Sequence, residues 1–365
     1  MVQPSPFPYF GPLAAGEVAG RDELRADLVR RMQQRRLTAL LGPRRYGKTS
    51  ILRQVAADLE VEGYGTVWVD LYELSSMADL AGAFDRGMAS TRGPLREALH
   101  SLAGSLSLQL GVLGLELARS PRDRPDPTLR LRTLVQVLVQ LAERQPLLLV
   151  LDEFAGIANV DHGAGLLRTE LQHHYRDLGI CFAGSQPSTM ATLFGDRAQP
   201  FFSQADLVHL GPMADADVAA IVESGFERTQ RRARLVVGSI VVLAEGHPQR
   251  AMQLADAVWQ LVPEGGVAKP EHWEVALANV RAAVDSSSER LFQLVPTGHQ
   301  KVLRIVAGGG SVYGTAASVL DLSTGTARAA VAALLGSADL RRDDDGKLRL
   351  VDPLFADWIR RRFPV

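Results

Sequence analysis

Short apolar runs alternate with helix-patterned segments over the first 210 residues of the chain. Apolar residues recur at helical spacing over residues 129–144, and similar patterns predict helices over 49–62 and 165–177. The runs between such segments predict the strands of a buried sheet, at residues 37–41, 66–71, 146–151, 179–183 and 206–210. Strands that alternate with helices favour a parallel sheet covered by helices, so the expected fold class is a three-layer α/β/α sandwich.

Beyond residue 210 the pattern becomes helical. A helix predicted from residue 271 to about Val284 is followed by Asp285-Ser-Ser-Ser288, which favours a helix cap at a domain boundary. The last part predicts three helices, at 297–307, 312–320 and 326–335, and then a β-hairpin over 340–350. This order is typical of a winged helix. The predicted domains are a nucleotide-binding core at 1–210, a helical lid at 211–285 and a winged-helix-like domain at 286–365.

The strand predicted at 37–41 leads into GPRRYGKT, a full match to the phosphate-loop pattern GxxxxGK[ST]. In such a loop, backbone N–H groups and a helix N-terminus bind phosphates, the lysine reaches the β and γ phosphates, and the hydroxyl holds Mg²⁺. The motif predicts that the chain binds ATP or GTP. The predicted nucleotide-binding residues of the loop are Gly42, Pro43, Arg44, Arg45, Tyr46, Gly47, Lys48, Thr49 and Ser50.

A second motif follows about a hundred residues later, where the apolar run 146–151 ends in Asp152-Glu153. An unbroken apolar run is typical of a central parallel strand. Asp152 then fits a Walker B ligand of Mg²⁺, together with Thr49, and Glu153 fits the general base that activates water. The alternative is a core strand that runs into a solvated acidic turn. Two acids downstream of a strict phosphate loop favour a Mg²⁺-dependent ATPase.

The run at 179–183 ends in Gly184-Ser185-Gln186. In a parallel sheet, a polar residue at a strand's carboxyl end points toward the crevice that also receives the phosphate loop. Ser185 is therefore a candidate sensor of the γ-phosphate or of the attacking water, and a hydroxyl that closes a turn is the alternative. The residues predicted to act in catalysis from these motifs are Lys48, Glu153 and Ser185.

The cysteine count, the N-terminal sequence and the length of the apolar stretches indicate the class of protein better than the net charge does. The chain has 365 residues, a formal net charge of −1 and one cysteine, Cys181, so intrachain disulfides are excluded. The N-terminus lacks the basic region of a signal peptide, and the most apolar stretch, 101–115, is shorter than the ~20 residues that span a bilayer. We therefore expect a cytoplasmic protein without stable membrane insertion.

Several motifs together resemble one group of P-loop ATPases. The sequence contains, in order, GRDEL, GPRRYGKTSIL, a strand ending in DEF, then GSQ, then GHPQR at 246–250, and a final DPLFADWIRR. The combination is similar to the prokaryotic and archaeal AAA-type ATPases related to the STAND class and to the Orc/Cdc-six replication initiators. This resemblance extends over almost the whole chain, is more specific for the ATPase core than for the tail, and implies adenine as the base.

The resemblance also implies roles for residues outside the two Walker motifs. Gly20 and Arg21, with Glu23, match a segment that lies beside the base, although a capped surface helix explains them as well. Pro248 and Arg250 match the lid proline near adenine and the arginine called sensor two, and a helix break followed by a new helix start is the alternative. Arg197 matches an arginine that completes a neighbouring subunit's site, or is a solvated loop residue.

The partner of the chain stays open between two classes. The predicted recognition helix offers only Arg328, and the predicted wing carries Asp343, Asp344 and Asp345, which repel DNA phosphates. Residues 286–365 nevertheless hold eleven Lys and Arg against eight Asp and Glu. One hypothesis is a nucleotide switch that controls self-association or a protein partner. The other is an ATPase that binds duplex DNA, with salt-dependent contacts from Arg341, Arg342 and 360–362.

Overall fold

The computed structural model describes residues 3–110 and 126–365, and it divides into two compact units. We call the first the sheet unit; it comprises Asp22–Gly42 and Lys48–His209. We call the second the helical unit; it comprises Met1–Arg21, Pro43–Gly47 and Leu210–Val365. The division assigns the middle of the predicted phosphate loop to the helical unit and its two ends to the sheet unit.

The sheet unit contains one five-stranded parallel sheet. Its strands are β1 (Thr38–Leu41), β2 (Gly65–Asp70), β3 (Leu147–Asp152), β4 (Gly179–Gly184) and β5 (Asp206–His209), in the spatial order β2-β3-β4-β1-β5. All five strands predicted from the apolar runs are present. Every residue of β3 and β4 is buried, as expected for central strands covered on both faces. The predicted α/β architecture with a parallel sheet is confirmed.

Seven helices of the described residues accompany this sheet, and a 3₁₀ helix, Phe154–Asn159, directly follows β3 and Glu153. The helices are α1 (Asp22–Gln33), α2 (Lys48–Val61), α3 (Met77–Ala89), α4 (Gly93–Leu110), α5 (Pro127–Arg144), α6 (Gly163–Leu171) and α7 (Pro187–Gly195). The prediction of a helix up to residue 177 was wrong, because the chain turns after Leu171 through successive short-range backbone hydrogen bonds. Residues 111–115 of the apolar stretch lie outside the described residues.

The helical unit begins its C-terminal part with four helices. They are α8 (Asp215–Arg228), α9 (Val237–Ala244), α10 (Pro248–Trp259) and α11 (Pro270–Leu294). Their buried apolar faces form one core, which also takes in Phe7 from the N-terminal segment; its ring lies 5.5 Å from that of Phe226. The N-terminal residues therefore contribute packing to this unit.

Three further helices, a hairpin and a final helix complete the helical unit. They are α12 (Thr297–Ala307), α13 (Thr315–Val319), α14 (Thr324–Gly336), the antiparallel strands β6 (Leu340–Arg342) and β7 (Leu348–Leu350), and α15 (Pro353–Arg362). A second core of this unit surrounds Trp358, which is 1% exposed. Among the described residues, no helix combines the length and apolar character needed to cross a membrane.

The helix cap predicted at Asp285-Ser-Ser-Ser288 was wrong, because α11 continues unbroken to Leu294. The Asp285 carboxylate accepts a hydrogen bond from the Trp358 indole N–H at 2.8 Å, instead of capping a new helix. The Ser287 hydroxyl donates to the Val284 carbonyl one turn back. These polar side chains find partners without leaving the helix, so local sequence preference for a cap is overridden by tertiary contacts.

Candidate nucleotide site

The phosphate-loop sequence connects β1 to α2. Two of its residues, Arg45 and Gly47, have positive φ values of 65° and 90°. Glycine adopts this region without steric cost, whereas a non-glycine residue there is uncommon. The left-handed conformations of Arg45 and Gly47 turn the chain just before α2, which begins at Lys48.

Lys48 is buried, with 5% of its surface exposed. Its ammonium group donates a hydrogen bond of 2.8 Å to the carbonyl of Gly42, the first residue of the motif. A buried ammonium requires acceptors around it. The Lys48 side chain is therefore directed back across the loop, where its ammonium group would also donate to a phosphate oxygen.

Thr49 lies at the next position, and its hydroxyl donates a 3.0 Å hydrogen bond to Oδ2 of Asp152. Asp152 is the last residue of β3 and is 6% exposed. The two residues are separated by 103 positions in the sequence, and parallel strand geometry brings them together. The structure thus joins the two predicted magnesium ligands.

The Asp152 carboxylate is buried and lies near two other acids. Burial raises its pKa above the ordinary value, the Thr49 hydrogen bond acts in the opposite direction, and the nearby charges of Glu153 and Asp70 raise the pKa further. Asp70 ends the neighbouring strand β2 in register with Asp152. A divalent cation bound by Asp152 would offset the repulsion between these carboxylates.

Glu153 follows in a strained left-handed conformation, with φ 49°. Its carboxylate accepts a 2.7 Å hydrogen bond from the Ser185 hydroxyl and a longer one, 3.3 Å, from the Ser185 backbone N–H. The backbone N–H of Glu153 itself donates to Oδ1 of Asp152 at 3.0 Å. The candidate general base is therefore held by a defined donor at the end of β4.

Strand register explains why these groups meet. Leu41 of β1 pairs with Gly184 of β4, and Leu151 of β3 pairs with Phe182 of the same strand. Consequently the carboxyl ends of β1, β3 and β4 lie side by side, at the edge where ligands bind in parallel α/β sheets. Five residues at or next to these strand ends form a group that we call the acidic edge: Lys48, Thr49, Asp152, Glu153 and Ser185.

The acidic edge fits a magnesium ion by the chemistry of its donors. Thr49 and Asp152 supply a hydroxyl and a carboxylate oxygen, the hard ligands that Mg²⁺ prefers. No cluster of three or more His, Cys, Asp or Glu able to hold a metal exists among the residues described. Mg²⁺ is commonly bound by one or two protein side chains together with substrate phosphates and water.

The residues predicted to line the adenine base lie in the helical unit. Gly20 and Arg21 both have positive φ, 72° and 63°. The positive φ favours glycine at position 20, where an added Cβ would also lie 2.9 Å from the end of the Met213 side chain and 3.2 Å from the Asp217 Cβ. The Arg21 guanidinium donates to the Gly211 carbonyl at 2.8 Å. Burial lowers its pKa to about 10, although Tyr46 and Asp217 act in the opposite direction.

Pro248 is the first residue of α10, and His247 before it caps the helix by accepting a 3.4 Å hydrogen bond from the Arg250 backbone N–H. The Arg250 guanidinium forms a bidentate ion pair with Asp352, with Nε 3.0 Å from Oδ1. The structure therefore places the predicted sensor-two arginine on a carboxylate of the C-terminal segment. Burial acts to raise the pKa of Asp352, but Arg250 outweighs it and lowers that pKa overall.

Two contacts of the loop were missed by the sequence reasoning. The Arg45 guanidinium donates to the Gln249 side chain at 3.3 Å, and Gln249 donates in turn to the Tyr9 carbonyl at 3.0 Å. The Tyr46 hydroxyl donates to the Val351 carbonyl at 3.4 Å. Positions 45 and 46 are variable in the phosphate-loop pattern, so no local signal indicates these partners.

The remaining predicted residues are placed as follows. Arg44 and Arg45 are exposed, and Ser50 is buried in the first turn of α2. Arg197 is exposed on the turn after α7, and within the described parts of the chain it forms neither an ion pair nor a hydrogen bond. An exposed arginine is what a contact to a second subunit requires, and it is equally what a solvated turn contains.

Known proteins resemble this chain in structure, whereas no match was found by sequence. No protein-family profile matches the chain, and no curated protein sequence matches it significantly. The Walker-type ATPase PABY2304 of Pyrococcus abyssi is similar over 97% of this chain and 99% of its own, with 18% identity and a TM-score of 0.73. The ORC2 protein of Aeropyrum pernix, in complexes with ADPNP and ADP, is similar over 97% of both chains, with 14% identity and a TM-score of 0.59.

The ORC1 protein of Aeropyrum pernix, solved in complex with DNA, is similar over 94% of this chain and 93% of its own. Its identity is 16% and its TM-score 0.51. These likenesses extend beyond the sheet into the helical C-terminal region, so they agree with the order of elements found here. The chain has the fold of the Orc-like and Walker-type P-loop ATPases.

Proposed function

We propose that the protein binds ATP with Mg²⁺ and hydrolyses it. The observation that carries this proposal is the 3.0 Å hydrogen bond between Thr49 and Asp152, which unites the ends of the two Walker motifs. Lys48 supplies the positive charge for the β and γ phosphates. Thr49 and Asp152 would hold Mg²⁺, which neutralises developing charge during phosphoryl transfer.

Hydrolysis needs a base beside the attacking water. Glu153 is suited to that role because the Ser185 hydroxyl donates to one of its two carboxylate oxygens. This hydrogen bond orients the carboxylate and leaves its other oxygen for the attacking water. Ser185 then orients the base, in addition to its predicted role as a sensor. This assignment supports hydrolysis over passive binding.

Adenine is favoured over guanine by the resemblance of Gly20, Arg21, Pro248 and Arg250 to the base-side motifs of AAA-type ATPases. The turn at Gly20 and the helix start at Pro248 are the two segments that would lie against the base. Arg250 stays the proposed sensor-two residue, with its guanidinium held by Asp352 inside the helical unit.

We further propose that the nucleotide state acts as a switch that is read by self-association or by a protein partner. Helices α8–α11 would be the lid, and α12–α15 with the β6–β7 hairpin a winged helix that reads the state. Arg197 is the candidate for a contact with a neighbouring subunit. A cytoplasmic location agrees with these roles and stays a prediction.

The alternative is an ATPase that binds duplex DNA, which the fold likeness to ORC1 in complex with DNA supports. Four of the five arginines expected to contact DNA already have partners within the chain. Arg360 donates to the Ala307 carbonyl, Arg361 to Asp357, and Arg362 lies 3.6 Å from Asp285. At the wing tip, Arg342 donates to the Gly346 carbonyl. We therefore favour the protein-directed switch.

The test is titration of Lys48→Ala with a fluorescent ATP analogue in the presence of Mg²⁺. We expect affinity to fall roughly 100-fold, because a charge-assisted bond to phosphate contributes up to about 3 kcal/mol. Lys347→Ala, at an exposed hairpin lysine, is the matched control and should bind as the wild type does. Equal affinity of Lys48→Ala and the wild type would refute the site.

A second measurement separates the two candidate functions. ATP turnover is followed with and without duplex DNA over a range of protein concentrations. The switch predicts turnover that DNA does not stimulate and that changes as the protein self-associates. Salt-sensitive DNA retention that is stronger with ATP would instead favour the DNA-directed function.

A further inference from the structure

Tyr46 is buried although it lies in the middle of a glycine-containing loop. Only 1% of its surface is exposed. Its ring meets the His247 imidazole edge-on, with 4.9 Å between centroids, and its hydroxyl donates to the Val351 carbonyl at 3.4 Å. All of these residues belong to the helical unit. The side chain thus anchors the loop on residues that follow it by 201 and 305 positions.

The carbonyl that accepts from Tyr46 belongs to a fixed corner between β7 and α15. The Val351 N–H donates to the Asp339 carbonyl at 2.9 Å. The next residue, Asp352, caps α15 by accepting from the Leu354 N–H at 3.0 Å and also binds Arg250. Hydrogen bonds on both sides therefore hold Val351 in one position.

His247 is equally constrained. Burial lowers its pKa to about 4, so the ring is neutral at physiological pH and keeps a lone pair for its helix-capping contact. The Nδ1 atom of His247 accepts the hydrogen bond from the Arg250 backbone N–H. Tyr46, His247, Arg250, Val351 and Asp352 form a closed circuit of contacts, which we call the loop anchor.

Burying a phenol is favourable only when its hydroxyl finds a partner. Burial raises the pKa of Tyr46, which keeps the hydroxyl protonated and able to donate. Arg45 adds a second tie through Gln249. The side chains of two consecutive loop residues, Arg45 and Tyr46, are therefore held by residues of the helical unit. These contacts orient the loop backbone that leads into Gly47.

We propose that Tyr46 is a positioning residue of the phosphate loop and that it couples phosphate binding to the corner at Val351–Asp352. The inference rests on the proposed function and deepens it, because it names the residue through which the C-terminal segment regulates the site. A loop held in its binding shape before the ligand arrives loses less freedom on binding. Since coupling is reciprocal, nucleotide must in turn stabilise the corner.

The first test compares Tyr46→Phe and Tyr46→Ala with Tyr313→Phe and Tyr313→Ala, at an exposed tyrosine of the same unit. Loss of the hydroxyl should weaken binding of a fluorescent ATP analogue about fivefold, and loss of the ring by more than about 30-fold. KM for ATP should rise with little change in kcat, because Tyr46 contacts no reacting atom. The Tyr313 variants should bind as the wild type does.

The second test uses amide hydrogen exchange of residues 340–352 in the full-length chain. In the wild type, the ATP analogue should slow exchange of the Val351 N–H at least severalfold. Tyr46→Ala at saturating analogue should lose this nucleotide-dependent difference, and Tyr46→Phe should keep only part of it. A residue with a merely structural role would change exchange equally with and without nucleotide.

The outcomes separate this inference from the proposed function. If Lys48→Ala loses affinity while both Tyr46 variants bind normally, or if Tyr46→Ala keeps full nucleotide-dependent protection of Val351, the coupling is refuted and the site stands. If Lys48→Ala binds normally, the site itself fails. Should Tyr46→Ala not fold, Tyr46→Phe decides alone, since it retains the buried ring.

Discussion

The acidic edge and the loop anchor both include residues of the phosphate loop, but the two groups are built in different ways. The acidic edge gathers residues from the ends of three neighbouring parallel strands, so sheet register alone brings Asp152, Glu153 and Ser185 to the loop's last residues. The loop anchor gathers Tyr46, His247 and Val351 from segments without shared secondary structure. The first follows from topology, and the second from the packing of one particular chain.

This difference teaches what each group can contribute. Every member of the acidic edge carries a functional group suited to phosphate, metal or water, and its hydrogen bonds orient those groups. Members of the loop anchor satisfy one another and leave few groups for a ligand. Changes in the acidic edge should therefore alter chemistry, whereas changes in the anchor should alter stability and coupling.

The largest expected effect comes from Glu153→Gln in the acidic edge. Without the carboxylate base, phosphate release should fall by roughly 10² to 10⁴, while binding of an ATP analogue stays within about twofold. Phosphate release and analogue titration measure the two quantities on one preparation. Glu60→Gln, an exposed acid of α2, is the control. Wild-type turnover in Glu153→Gln would move the base elsewhere.

An intermediate effect is expected in the loop anchor at Asp352. Asp352→Ala removes both a helix cap and the partner of Arg250, so the free energy of unfolding should fall by about 2–4 kcal/mol. Asp352→Asn retains a cap but loses the charge, and the loss should be about 1–2 kcal/mol. Urea denaturation measures both variants. Equal losses would mean that the cap contributes nothing, and wild-type stability of Asp352→Asn would mean that the ion pair with Arg250 contributes nothing.

The smallest effect is a pH dependence at His247. Its pKa is about 4 in the folded protein and about 6.5 when unfolded, so the unfolded chain binds a proton first as the pH falls. The contribution of His247 to stability is therefore complete above pH 6.5 and decreases between pH 6.5 and 4, by up to about 1.4 kcal/mol per pH unit.

Replacing the histidine isolates that contribution. His247→Asn keeps a capping side chain that does not titrate, so between pH 7.5 and 5 its unfolding free energy should fall by roughly 1–2 kcal/mol less than that of the wild type. Urea denaturation at the two pH values gives both differences. An identical pH dependence of the two proteins would show that His247 titrates normally and that the anchor is open to solvent.

Much of the sheet unit could be predicted from the sequence. Apolar runs located all five strands, since a strand buried on both faces must be apolar along its length. Helix ends were predicted less well. The expected helix to residue 177 ends at Leu171, and α11 passes through the expected cap at Asp285, because turns and a tryptophan partner decided those positions.

The sequence by itself indicated Lys48, Thr49, Asp152 and Glu153 as the chemical part of the candidate site, because a strict loop motif and a strand ending in two acids leave few other geometries. Tertiary structure decided the partners of Tyr46, Arg45 and Arg250. Those partners lie 102 to 305 residues away, at positions where any of several side chains would satisfy the local pattern. Register is encoded in short repeating patterns, whereas packing between distant segments depends on the shape of the whole folded unit.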